Sequence, residues 1–369
     1  MTVLLGGVRA DLLTQEAMRH ADSVLTGLGE DSFPQALRDF AAGRLAPLYR
    51  QSCETTVENR PLPRKDLLNR KRYITLNTVE AIRGCCHTCT FCAHPQAFGK
   101  KLYKGTISDN IGEITTRKGK VGLFPDVNLI ADRDFAMGLF AARVPLRKWW
   151  MGLTTTVINE DAELLAMMKK SGCKGLLIGF ESVNQATQQD IRKGNLNQVD
   201  EYKNLMKLLH KNGIMVMGCF AFGSDEDGPD VFRRTVQMCE EAKIDLPRFS
   251  VITPFPETEY YRQLEAEGRI VERDWALYDV EHVVYKPLQM TAPQLVEGME
   301  DTWRAAYSWR SIFKRIDWKN FHHLWMMYPV YFLANIGYRQ YAKKFAAFDE
   351  NVMRDNSDIP LPQKEAALP

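Results

Sequence analysis

The sequence has almost no charge imbalance: 48 basic against 46 acidic residues leave a formal charge of +2 over 369 residues. A field that weak draws neither nucleic acid nor an anionic membrane to the molecule as a whole, so partners must be argued from local patches. No basic region precedes the short apolar run at the N-terminus, and acidic residues follow it quickly (MTVLLGGVRADLLTQEA). That pattern argues against a secretory signal and sets the expectation of a cytoplasmic protein. No apolar stretch is long enough to span a bilayer; the most apolar one, His322 to Ile336, is interrupted by Pro329. Low-complexity segments are absent, and no repeat occurs beyond an alternation of short apolar runs with amphipathic segments.

Present instead is ordinary globular material, 45% hydrophobic and 25% charged, enough for a sizeable core. The length suits one large domain with appendages. Of the eight cysteines, at 53, 85, 86, 89, 92, 173, 219 and 239, four fall within eight residues. Such crowding in a chain expected to stay in a reducing compartment points to metal rather than to disulfides.

Residues 1–50 read as a strand (Val3 to Leu5), a Gly6-Gly7 turn, a helix, a strand (Ser23 to Thr26) and a helix (Phe33 to Ala42), the closing part of an α/β domain. Residues 51–72, charged and interrupted by Pro61 and Pro63, read as a linker. Over 73–285, apolar runs predict six strands: Tyr73 to Leu76, Val121 to Phe124, Trp149 to Thr156, Gly175 to Phe180, Met215 to Phe222 and Phe249 to Thr253. Between them Asp132 to Ala142, Glu160 to Ser171, Val199 to Asn212 and Asp230 to Lys243 repeat apolar residues at helical steps. Parallel βα units at this spacing predict a partial (β/α)6 barrel, with chemistry at the C-terminal strand ends. Residues 286–369 read as a helical extension, Ala292 to Ser308 and Phe321 to Phe348, with a loose tail from Asp349.

Cys85, Cys89 and Cys92 form C-x3-C-x2-C just after a predicted strand. Three thiolates satisfy three corners of an iron-sulfur cubane and leave the fourth iron open to a ligand, whereas an electron-transfer cluster takes four protein ligands. Two other readings stay open: a closed zinc site completed by His87 or His94, and a lone nucleophilic cysteine, which would not explain the spacing. Cys86 is out of step with the three. Cys53, Cys173, Cys219 and Cys239 read as core residues.

With Phe91 as the aromatic before Cys92, the motif resembles the radical S-adenosylmethionine (SAM) signature. The resemblance implies a 4Fe-4S cluster on Cys85, Cys89 and Cys92 whose open iron binds SAM. Reductive cleavage then yields methionine and a 5′-deoxyadenosyl radical. It implies adenine contacts near Phe91, and a SAM hydrogen bond from Glu181 in Gly179-Phe180-Glu181-Ser182, with Ser182 beside it. Asp126 or Asn128, ending the second predicted strand, would meet the SAM amino group, and the hydroxyls of Thr154 to Thr156 end the third. Gly218, in Gly218 to Gly223, resembles the segment packed near adenine; the acidic run after it reads as a solvated loop or helix start rather than a metal site. Thr253-Pro254-Phe255-Pro256-Glu257-Thr258 resembles the T-P-x-P-G-T turn, with Glu257 where glycine is usual. No catalytic residue is singled out.

Leu4 to Val8, Gly27 to Asp31 and Gly43 to Tyr49 resemble the end of a cobalamin-binding domain, whose earlier βα units have no counterpart in this sequence, so cobalamin is left open. The subgroup resembled is that of cobalamin-domain-associated class B methyltransferases and anaerobic magnesium-protoporphyrin monomethyl ester cyclases. It implies an apolar or polycyclic small-molecule substrate, methyl transfer or oxidative ring closure, and a low-potential electron donor such as flavodoxin or ferredoxin. A non-catalytic iron-sulfur protein derived from such an enzyme is the alternative. No nucleic-acid partner is expected. The aromatic C-terminal segment reads first as packing against the barrel, with a peripheral membrane contact as the second reading and the lining of a hydrophobic substrate site as the third.

Overall fold

A computed structural model describes residues 1–58, 60–73, 75–116 and 119–345. They form two compact units: the first holds 1–88, 92–176 and 256–258, the second 89–91, 177–255 and the described residues from 259 onward.

The first unit opens with a parallel three-stranded sheet, β1 (Leu4–Leu5), β2 (Ser23–Thr26) and β3 (Leu48–Arg50), in that order. Val24 is fully buried against Ala10 and Ala17 from the helices Val8–Leu12 and Thr14–Ala17. The third helix runs from Gly29 to Ala41 and so starts earlier than the expected Phe33. Pro34 lies inside this helix, where it removes one backbone donor.

A short antiparallel pair follows, β4 (Ile82–Arg83) with β5 (Tyr103–Lys104). Next come β6 (Val121–Phe124) and β7 (Trp149–Thr154), paired in parallel, and then β8 (Cys173–Glu181), whose first four residues count with the first unit. The strand order here is β6-β7-β8. The expected strand at Tyr73 to Leu76 does not form among the described residues. The chain touches β6 slightly later, through a single bridge at Thr78 flanked by bonds from Leu123 N to Asn77 O (2.8 Å) and from Val79 N to Leu123 O (3.0 Å). The ladder stops there because the next free donors, Ala81 N and Ile82 N, turn to the Asp126 carboxylate. Helix Arg133–Arg143 is capped by Asp132 and buries Ala136, Leu139 and Phe140. Phe140 stacks on Trp150 at 4.9 Å, and the buried Arg143 guanidinium lies over Phe124 and Trp150.

In the second unit the remainder of β8 continues to β9 (Met215–Phe222) and β10 (Leu246–Val251), in the order β8-β9-β10. β9 and β10 pair in parallel from Met217↔Leu246 to Phe222↔Val251. Phe180 of β8 stacks on Phe220 of β9, which meets Phe249 of β10 at a tilt, with Trp303 edge-on to Phe249 at 5.2 Å. Trp303 comes from the helix Ala292–Ala306, which begins with a full capping box between Thr291 and Gln294. The single helix expected from Phe321 to Phe348 is divided into Phe321–Leu324, a tight turn Trp325–Met327 and Tyr328–Phe345. Pro329 explains the break, since it is tolerated only at a helix start. The end of that expected segment and the tail from Asp349 lie outside the described residues. No described helix is long and apolar enough to cross a membrane.

Candidate functional site

Cys85, Cys89 and Cys92 stand in one irregular loop between β4 and the helix His94–Phe98, each half-buried, with Cys86 exposed beside them. Gly84 turns the chain into this loop at φ +99°, and a Cβ there would overlap the Lys101 carbonyl, so the position accepts only glycine. The loop is fastened at two points. Asp126 Oδ1 accepts from Ala81 N (2.8 Å) and Ile82 N (2.5 Å), which fixes the strand leading into it. Its middle, Cys89–Phe91, counts with the second unit, where Thr90 N donates to Ile191 O and Thr90 O accepts from Tyr260 N at 3.1 Å. Phe91 is half-buried. Among the described residues no three His, Cys, Asp or Glu side chains gather as a single ion would need. A cubane asks for a different geometry, one thiolate on each of three irons.

Asp126 is almost fully buried, and its Oδ2 has no hydrogen-bond partner among the described residues. Burial pushes its carboxyl up to about 7 against the pull of the two backbone bonds. Asn128, also buried, accepts weakly from Ile130 N within its own turn, at 3.4 Å. Thr154 to Thr156 are buried.

Glu181 ends β8 in the second unit with φ +60°, a left-handed conformation that a residue with a Cβ adopts only under constraint. The constraints are visible. Gln188 Nε2 donates to Phe180 O (2.5 Å) and Ser182 O (2.7 Å), and Tyr202 OH donates to the same two carbonyls. Asn197 Nδ2 donates to Gly179 O and Phe180 O. Lys193 Nζ donates to Glu181 Oε1 at 2.6 Å, with both side chains largely buried. A Cβ at Gly179 would displace the Glu181 carboxylate from this position, so glycine and glutamate two residues apart serve one geometry. Ser182 is buried, and its Oγ accepts from Asn184 N. At Gly218 the place of a side chain is filled by Phe180 and Ile244, which explains the glycine by packing within the second unit.

Two expectations are corrected. The acidic run after Gly223 is not a solvated loop. Asp227 is buried, accepts from Thr187 Oγ1 (2.7 Å) and Gly223 N, and is pushed up to about 6 by burial, while Asp225 pairs with the largely buried Arg269 at 2.6 Å. Only Glu226 of the run is exposed. Cys53 is exposed and Cys219 half-buried, so of the four expected core cysteines only Cys173 and Cys239 are buried. Cys53 lies in a turn of the linker, where nothing packs a small side chain inward.

A cavity of about 590 Å3 lies within the first unit. One wall comes from the turns after β1 and β2 and the start of the helix Gly29–Ala41: Gly6, Gly7, Leu28, Gly29 and Phe33. The other comes from the surroundings of the cysteine loop: Ile82, Arg83, Gly84, His94 and Phe98. Two helices begin on the first wall, at Gly7 and Leu28, and neither has a side-chain cap. The first-turn N–H groups of a helix without a side-chain cap are open to an anionic acceptor. The sequence signal for this cavity was the paired glycines at 6–7 and the Gly27-Leu28-Gly29 run.

The sequence profile of the radical SAM superfamily matches residues 79–239. Bacteriochlorophyllide d C-12(1)-methyltransferase of Chlorobaculum tepidum is 29% identical over 343 residues, covering 90% of this chain and 74% of that one. Anaerobic magnesium-protoporphyrin IX monomethyl ester cyclase of Cereibacter sphaeroides is 24% identical, covering 84% of this chain and 56% of that one. Among solved structures, the methyltransferase TsrM of Kitasatospora setae, with cobalamin and a 4Fe-4S cluster bound, aligns over 88% of this chain and 73% of its own with TM-score 0.62. At 15% identity that likeness is one of fold.

Proposed function

We propose that this chain, whose residues 79–239 match the radical SAM superfamily, works as such an enzyme: Cys85, Cys89 and Cys92 hold a 4Fe-4S cluster, Glu181 contacts SAM, and the cavity of the first unit takes cobalamin. The observation that carries the reading is the loop itself: three thiols at the signature spacing, on a backbone fastened by Asp126 and by Thr90. The donor set suits iron, since thiolates are the usual ligands of such clusters and a vacant fourth corner suits an amino-acid chelate. When bound, the cluster supplies one electron to the SAM sulfonium and thereby the radical that attacks the substrate.

The chain's own residues bind, orient and enclose. Glu181, an acceptor fixed by Lys193 and by its backbone, suits a ribose hydroxyl or the methionyl ammonium. Asp126, with one oxygen on the backbone, positions the cysteine loop. In the cavity, Gly6, Gly7 and Gly29 allow a large ligand to approach the backbone, and the uncapped helix starts suit a phosphate such as that of a nucleotide tail. The apolar wall of Leu28, Phe33, Ile82 and Phe98 suits the face of a macrocycle.

The relatives named for bacteriochlorophyllide and magnesium-protoporphyrin substrates support a flat tetrapyrrole or similar polycyclic metabolite. Methyl transfer is the favoured outcome and oxidative ring closure the second, with a flavodoxin- or ferredoxin-type protein as donor. Anaerobically reconstituted protein given dithionite and SAM should release 5′-deoxyadenosine, and loss of any one of Cys85, Cys89 or Cys92 should abolish this. Turnover that survived all three single changes would sink the assignment. With a magnesium tetrapyrrole and cobalamin supplied, a mass gain of one methylene marks methyl transfer, and ring closure gives a different mass.

A further inference from the structure

The C-terminal helices of the second unit carry an exposed apolar surface that no described part of the chain covers. Leu333 is 72% exposed, Trp318 67% and Trp325 61%. Side chains this large and this open are uncommon on a monomer surface, and a contiguous group of them marks an interaction site.

The exposed aromatic side chains Trp309, Phe313, Phe321 and Trp318 are contiguous through Phe332 and Tyr328, which neighbour Leu333 and the Trp325 turn in the chain. Ring contacts link Trp309 to Phe313 (6.3 Å), Phe313 to Phe332 (6.0 Å) and Phe332 to Tyr328 (6.5 Å). Tyr328 stacks on Phe321 at 4.6 Å, and Phe321 on Trp318 at 5.7 Å. On the helix Tyr328–Phe345 the exposed positions Val330, Leu333 and Ile336 follow at three-residue steps and so share one face. The inner face of the same segment is anchored, because Tyr331 is fully buried and its hydroxyl donates to Ile312 O at 2.6 Å. The outward aromatic side chains are therefore held on a rigid base.

The charge around this surface is one-sided in a chain that is otherwise balanced. Residues 309–345 contain seven basic side chains and one acidic, Asp317, whose carboxylate is bonded to His210 at 3.0 Å; of the basic ones Arg315 is fully buried and Lys314 pairs with Glu240 at 2.8 Å. Arg310, Lys319 and Lys343 are exposed among the aromatic positions. Exposed Trp, Phe and Leu interleaved with Lys and Arg, on helices too short and too polar to span, is the composition of a surface that lies in a lipid interface.

We propose that the surface formed by Trp309, Phe313, Trp318, Trp325 and Leu333, with its basic rim, docks on an anionic lipid bilayer. The apolar side chains enter the headgroup region and Arg310 and Lys319 meet the lipid phosphates. A second copy of this chain is the competing occupant, but an isologous contact would bring the like-charged rims together.

The test uses the full purified chain with vesicles of phosphatidylcholine alone or mixed with phosphatidylglycerol, read by co-sedimentation and by tryptophan emission. Binding to the mixed vesicles, a blue shift on binding and release by salt are expected. Trp325→Ser with Leu333→Ser should abolish it. Arg310→Glu with Lys319→Glu should weaken it about tenfold or more. All four positions are exposed, and unchanged circular dichroism confirms folding. Absence of binding by the parent chain overturns the proposal, as does equal binding by both double variants. A salt-resistant dimer in light scattering that the Ser pair dissolves, with no vesicle binding, also overturns it and assigns the surface to a second copy.

Discussion

Lys193 holds Glu181 by an ion pair of 2.6 Å inside a turn where Glu181 itself sits at φ +60°. The strand end is thus rigid before any ligand arrives, since Gln188, Asn197 and Tyr202 have already bonded the carbonyls on either side. A pre-set acceptor of this kind lowers the ordering cost of binding. Glu181→Gln should weaken SAM binding by tenfold or more, about 1.5 to 3 kcal/mol for a charged hydrogen bond. Lys193→Met should weaken it less, because the backbone still presents the carboxylate. Equilibrium dialysis against SAM, with iron content measured in parallel, checks both. Equal iron with unchanged affinity for Glu181→Gln would remove Glu181 from the site.

Asp126 makes a pH-dependent prediction. Its carboxyl is pushed up from 3.8 to about 7 by burial, so the folded chain holds this proton where the unfolded chain has lost it. Stability therefore falls as pH rises from about 4 through about 7, by on the order of 4 kcal/mol for this group alone. Asp126→Asn keeps an acceptor for Ala81 N and Ile82 N without the charge. The urea midpoint of the variant, relative to the parent, should rise across that window. A constant difference between the two would show that Asp126 is ionised without penalty. Asp126→Leu, which leaves both N–H groups without an acceptor, should lower stability by about 2 to 3 kcal/mol and reduce cluster content.

What the sequence made legible was local. Met215 to Phe222 and Ser23 to Thr26 read as strands because β-branched and aromatic residues fill them, and both form with those bounds. The cysteine loop was legible because its ligands are neighbours in the chain. Glu181 could be picked out from the G-x-E-S pattern, but its left-handed backbone could not, since Gln188, Lys193, Asn197 and Tyr202 hold it from later segments. The role of Asp126 escaped for the same reason: its partners precede it by more than forty residues. The Tyr73 to Leu76 run looked like a strand by composition, yet the sheet takes the chain at Thr78.

His210 illustrates the remaining gap, because nothing near it in the chain announces its partners. It is fully buried, with Nε2 at 2.9 Å from Asp245 and Nδ1 at 3.0 Å from Asp317. Burial disfavours its charge, but the two carboxylates outweigh that and push it up to about 9, while the bond to His210 holds Asp317 below its ordinary value. The raised value means that its contribution is complete below about pH 6.5 and is lost as pH rises through about 9, roughly 3 kcal/mol in all. Denaturation of the parent at pH 7 and pH 10 should differ by that much more than for His210→Gln. Parallel losses in both chains would show that the imidazole is neutral throughout.

Glu257 occupies the glycine position of the T-P-x-P-G-T turn, and the chain keeps the glycine-like backbone there at φ +61°. A side chain in that region costs about 1 to 2 kcal/mol, while glycine returns about 0.4 to 1 kcal/mol of that through a more disordered unfolded chain. Glu257→Gly should therefore raise stability by about 0.5 to 1 kcal/mol, visible as a higher urea midpoint at unchanged slope. Glu257→Val, β-branched and hardest to place at positive φ, should lower it by more than 1 kcal/mol. The pair separates backbone strain from side-chain contacts, because both variants lose the carboxylate and only one relieves the backbone. If both destabilise equally, the Glu257 side chain, not its dihedral angle, decides the stability of this turn.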